Sequence, residues 1–129
     1  MPTLPWIAVD EPGSDTDAVV MASRFRVKGY RHVLPFFLDA LRVHAQVRKA
    51  DGVLGVSLVA HPLRREFSTL SAWRDRASLD AMVRAEPHRT VMARQHEVMA
   101  DAAFRFWTSP QADFPPTWDD AERHLPARA

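Results

Sequence analysis

Two stretches rich in β-formers, Val53 to His61 and Glu66 to Trp73, are separated by only the four residues Pro62 to Arg65. So short a link makes a hairpin, which forces the two strands antiparallel and fixes the middle of any topology the chain can take. The first of them, VLGVSLVAH, is almost continuously apolar, so both of its faces ask for cover. Upstream, AVVMASRFRV from Ala18 to Val27 alternates, with Val19, Met21, Ser23 and Phe25 on one face and Val20, Ala22, Arg24 and Arg26 on the other, and reads as a further strand. Between that strand and the hairpin the period becomes helical over Val33 to Ala50, with Val33, Phe37, Ala40, Leu41, His44 and Val47 on one stripe. Pro35 fits the first turn, where its missing N–H costs little, and Gly52 suits a left-handed end.

After Trp73 the chain again reads as helix as far as Ala102, broken at Pro87, because proline disfavours helix in the residue before it. Beyond the break His88, Met92, Gln95 and Met99 share a narrow stripe flanked by Val91 and Val98. Phe104 to Thr108 supplies a fourth strand. The order βαββαβ predicts an α+β, ferredoxin-like domain, a four-stranded antiparallel sheet with its helices on one face. Residues 1–17 read as an irregular arm, 18–109 as the domain, and 110–129 as a Pro-rich tail with at most a short helix at Trp118 to His124. Two helices cover only one sheet face, yet the first two strands are apolar on both. A homodimer through the open sheet face is therefore expected.

At 129 residues there is room for one core. With no cysteine, disulfides, thiolate metal sites and cysteine nucleophiles are excluded. No apolar run reaches the ~18 residues of a membrane helix, and Met1 to Asp10 lacks the pattern of a secretory signal. The expectation is a cytoplasmic protein without a membrane partner. Of the 17 basic residues only Lys28 and Lys49 are lysine, and the arginines are spread singly among acids except at Arg64 and Arg65. That is a solvated surface rather than the clustered basic face of a nucleic-acid binder. The glycine-rich nucleotide loops and the nucleophile elbow are missing, and no pair of histidines shares a helix face with an acidic third ligand. Neither metal nor cofactor is expected.

Four residues stand out as site candidates. His88, on an apolar stripe, suits a general acid or base, against the alternative of capping backbone beside Pro87. His44 also lies on an inward stripe, where a core histidine bonded to a carbonyl is the competing account. Trp73, at a strand end, suits stacking on an aromatic ligand or simple core packing. Arg24 could hold a carboxylate or phenolate, or end in an ion pair. Since helices on one face aim their apolar stripes at the same sheet, Trp73, His44 and His88 are expected to converge. Tyr30 and His32 could line a pocket mouth, although a solvated loop is the simpler account, and His61 reads as exposed.

The run FSTLSAWRDRASLDAMVRAEPHRTVM from Phe67 to Met92, with MASRF, VLGVSL and LSAW, resembles the dimeric α/β-barrel superfamily over roughly Ala18 to Thr108. It is most similar to uncharacterised members allied to the antibiotic-biosynthesis monooxygenases and to spheroidene monooxygenase-like proteins. The resemblance implies a small pocket between helices and sheet, a dimer, and an enzyme acting on an apolar aromatic substrate; the alternative is a non-catalytic dimeric binding or accessory protein. Trp73 matches the family's Trp at the end of its third strand. The chain departs from the pattern in having no Asn, and in a longer spacing from Trp73 to His88 than from the family's Trp to its haem-ligating His.

Overall fold

The computed structural model describes residues 3–9, 17–110 and 115–127. Five strands form one antiparallel sheet: β1 (Thr3–Ala8), β2 (Asp17–Val27), β3 (Val53–His61), β4 (Glu66–Trp73) and β5 (Met99–Pro110), in the order β1-β3-β4-β2-β5. The hairpin Val53–His61 and Glu66–Trp73 pairs as expected, Val56 opposite Ser71 and Ala60 opposite Phe67. Its turn closes through Arg65, left-handed at φ 56°, whose N–H bonds the Pro62 carbonyl. Helices α1 (Val33–Arg48), α2 (Arg76–Arg84) and α3 (His88–Gln95) lie on one side, and α4 (Trp118–His124) on the other. Strands β2 to β5 with α1 to α3 make the predicted βαββαβ unit.

Three expectations are corrected. The sheet has five strands, because residues 3–8, taken for irregular arm, add β1 to the edge of β3. Pro5 does not prevent this, since an edge strand tolerates residues that cannot donate on its outer side. Arm residues 1–2 and 10–16, Pro12 and Gly13 among them, lie outside the described residues. Second, the helical run does not reach Ala102. It ends at Gln95, a single tight turn covers His96–Val98, and β5 begins at Met99. Third, the first half of α1 buries Phe36 and Asp39 where Phe37 and Ala40 were expected, while His44 and Val47 are buried as expected.

The sheet face opposite α1 to α3 is not open. Ala18, Val20, Ala22, Leu54, Leu70 and Ala72 are covered by Ala121 and Leu125 of the C-terminal segment, with Trp6, Trp107 and Trp118 packed around them. Small residues make this possible: the Trp6 ring lies so close to Gly55 that a Cβ there would overlap it. Helix α4 starts with a capping box, in which Thr117 and Asp120 each satisfy the other's backbone N–H. It is fastened by Arg24, which donates to the Pro126 carbonyl and lies 3.5 Å from Glu122, and by His124, stacked on Trp107 at 3.7 Å. The chain thus supplies much of the cover that the sequence assigned to a second subunit.

Candidate active site

Between the sheet and helices α1 to α3 lies a cavity of about 80 Å³. Its floor comes from β2, β3 and β4, its roof from Phe36, Ala40, Val43, His44 and Val47 of α1, and one wall from His88, Val91, Met92 and Gln95 of α3. Met82, Met99 and Phe104 complete it, and its lining holds no Asp, Glu, Lys or Arg. Two larger clefts, one between α1 and α2 and one beside Arg24, Arg26 and Arg64, are lined by charged groups.

The structure brings together two of the four residues selected from sequence. His44 is 7% exposed, and its Nε2 is buried without a hydrogen-bond partner. The carbonyl bond that would make it an ordinary core histidine is therefore missing at that atom. Burial, and after it the charge of Arg48 one turn along, hold its pKa below the ordinary 6.5, so the ring is neutral near pH 7.

His88 stands at the backbone break and at the cavity. It caps backbone beside Pro87, with its ring Nδ1 3.1 Å from the Val83 carbonyl, and it also lines the cavity. A carbonyl can only accept, so Nδ1 carries the proton. Burial outweighs that bond and keeps the pKa below 6.5, which leaves the neutral tautomer with a lone pair on Nε2. Gln46 on α1 steadies the junction, accepting from the His88 backbone N–H at 2.8 Å and donating to the Met82 carbonyl at 3.1 Å. Those are loose backbone groups at the end of α2 and the start of α3.

Trp73 and Arg24 lie elsewhere. Trp73 is fully buried among Val47, Val53, Val56, Leu79 and Met82, donates from Nε1 to Ser71 Oγ at 2.9 Å, and does not line the cavity. Arg24 projects from the opposite sheet face into the tail contact, because alternate residues of a strand point to opposite sides. Tyr30 donates to the Leu63 carbonyl at 2.8 Å and stays exposed, tying two loops together. His61 is half-buried rather than exposed, with an unpartnered Nδ1, and is not among the cavity residues.

Two groups of residues escaped the sequence reading. Asp39, 5% exposed, receives Arg94 through Nε at 3.1 Å and Nη2 at 2.6 Å and Gln95 at 2.6 Å, binding α3 to α1 beside the cavity. Burial pushes its carboxyl up, but the bonds from Arg94 and Gln95 and the charges of Arg94 and Arg42 prevail and hold it below 3.8. An acid inside a helical apolar stripe was the available signal. The second group is Ser23, Thr69 and Ser71 on the cavity floor. Their signal was hydroxyls at the inward positions of apolar strands.

No protein-family model matches the sequence, and no curated protein sequence matches it significantly. Solved structures do match. A single-site variant of SnoaB, a cofactor-independent oxygenase from Streptomyces nogalater, is 15% identical, with a TM-score of 0.61 over 73% of this chain and 94% of that one. Another, described as an antibiotic biosynthesis monooxygenase, is 17% identical, with a TM-score of 0.58 over 69% of this chain and 95% of that one. The fold is that of the antibiotic biosynthesis monooxygenases. Rv0793 from Mycobacterium tuberculosis shares it at 22% identity, with a TM-score of 0.59 over 70% of this chain and 92% of that one. At such identities the likeness to antibiotic biosynthesis monooxygenases carries architecture and leaves chemistry to the site. Among the described residues no helix is long and apolar enough to cross a membrane, and no three His, Asp or Glu side chains gather as a metal site.

Proposed function

We propose that the protein is a small-molecule enzyme of the antibiotic biosynthesis monooxygenase type, acting on an apolar aromatic substrate held between the sheet and α1 to α3. One observation carries the reading: two neutral histidines from different helices, His44 and His88, line one uncharged, largely apolar cavity, and His44 Nε2 is buried without a hydrogen-bond partner. A buried polar atom left unpaired costs about 1–3 kcal/mol. A ligand that completes its hydrogen bonding recovers that cost, which is how a preformed site differs from a packing defect. His88 is the acid–base residue, its proton fixed on Nδ1 by Val83 and its Nε2 free to take a proton from the substrate. Trp73 and Arg24 have no part in the chemistry.

Turnover of reduced aromatic compounds, followed as oxygen uptake, tests this directly. Replacing His88 by Ala should lower the rate by about 10²–10⁴ while ligand binding persists. Binding by the wild type with no turnover would favour the alternative, a binding or accessory protein on the same fold. The reading includes a homodimer. With α4 on the sheet, two copies would meet at the outer edge of β5, where Phe104 and Phe106 are 38% and 43% exposed. Light scattering should then give twice 14.6 kDa.

A further inference from the structure

The cavity floor carries a polar stripe that sheet packing does not call for. Ser23 on β2 pairs with Thr69 on β4, and Ser71, two residues further along β4, pairs with Met21. Strand residues two apart share a face, so three hydroxyls stand together on the floor, while the further serine of the lining, Ser57, donates to the Leu4 carbonyl. Ser23 and Thr69 bond each other through their side-chain oxygens, and Ser71 Oγ accepts from Trp73 Nε1. Each hydroxyl has one proton and two lone pairs. The bond between Ser23 and Thr69 consumes a single proton, so the other remains to be donated. His44, whose Nε2 is buried without a partner, lines the roof of the same cavity. Polar capacity therefore lies on the floor and the roof and, through His88 and Gln95, on the α3 wall, among Phe, Val and Met side chains.

Size and charge narrow the occupant. A dry cavity of about 150 Å³ takes up benzene, and this one is about 80 Å³. The unbranched side chains of Met82, Met92 and Met99 can move aside for one ring; a fused ring system demands more than they supply. An ion entering a lining without a single charged group would be desolvated with no counter-ion. The geometry points to an uncharged single-ring compound bearing one hydroxyl as the ligand, its ring against the apolar side chains and its hydroxyl toward the Ser23–Thr69–Ser71 stripe and the two cavity histidines, His44 and His88. This assignment rests on the reading of the cavity as a ligand site, and it specifies the class of ligand.

Titration calorimetry of the full chain at about pH 7.5 with phenol, toluene, benzoate and 1-naphthol tests it. Phenol should bind at least about tenfold more tightly than toluene, because a site that hydrogen-bonds a hydroxyl rejects the analogue without one. Benzoate should not bind, and 1-naphthol should bind more weakly than phenol. Thr69→Val keeps the side-chain shape and removes a hydroxyl. It should weaken phenol several-fold and leave toluene unchanged, which a merely structural role for Thr69 would not do. Equal binding of toluene and phenol, tighter binding of 1-naphthol, or uptake of benzoate overturns the assigned class while the cavity remains a ligand site. No binding by any of the four overturns both.

Discussion

The two faces of the sheet are built from the same strands and end in opposite states. On the face toward α4 small residues meet large ones: the Trp6 ring lies on Gly55, and Ala121 and Leu125 pack over Ala18, Ala22 and Ala72. On the face toward α1 to α3 the large residues sit at the two ends. Trp73, Leu79 and Met82 fill one end, and Phe25, Phe36 and Phe67 fill the other. The middle is left to Ser23, Thr69, Ser71 and His44 around a void. Apolar surface buried against a matching shape stabilises; the same area left around a void with unpaired polar atoms costs stability and gains a site.

The largest effect that sharpens this contrast is expected at Trp73. Its replacement by Ala should cost about 3–5 kcal/mol in urea denaturation, as for a deeply buried aromatic. A small stability change with lost ligand binding would instead restore Trp73 to the site. Next comes Gly55→Ala on the filled face. One methyl group there should cost about 1–3 kcal/mol through overpacking against Trp6, and a neutral result would show that face to be loosely packed. On the cavity side the sign reverses. His44→Leu removes an unpaired buried nitrogen, so the melting temperature should rise, by roughly 1 kcal/mol of added stability, while phenol binding is lost.

The smallest effect is that of pH. His44 and His88 both have folded pKa values below the ordinary 6.5. Above 6.5 both states of the chain hold neutral rings and the contribution is fully present. As pH falls below 6.5 the unfolded chain takes up protons that the fold resists, so stability declines until the folded pKa values are passed. The urea midpoint should be lower at about pH 5.5 than at about pH 7.5, and His44→Leu should flatten the difference. A midpoint independent of pH in that window would mean that the two rings are as hydrated in the fold as in the unfolded chain.

Much of this architecture was legible because it is local. The bounds of β3 and β4 follow from β-former runs on either side of a four-residue turn, and the break between α2 and α3 from Pro87; each depends on residues adjacent in the chain. The pairing of the inward stripe of α3 with that of α1 followed from helical period, and with it the meeting of His44 and His88 over one cavity. Sequence also excluded whole classes of chemistry, because a chain without cysteine cannot supply a thiolate. What only the tertiary structure decided depends on residues far apart in the chain. Residues 3–8 become a strand because the edge of β3 offers backbone partners some 50 positions away. Trp73 leaves the site because Ser71 holds its N–H inside the core, and Arg24 leaves it because the tail folds back over 102 residues to meet it. The hydroxyl stripe exists only once β2 and β4 are in register, since pairing, and not composition, sets Ser23 beside Thr69.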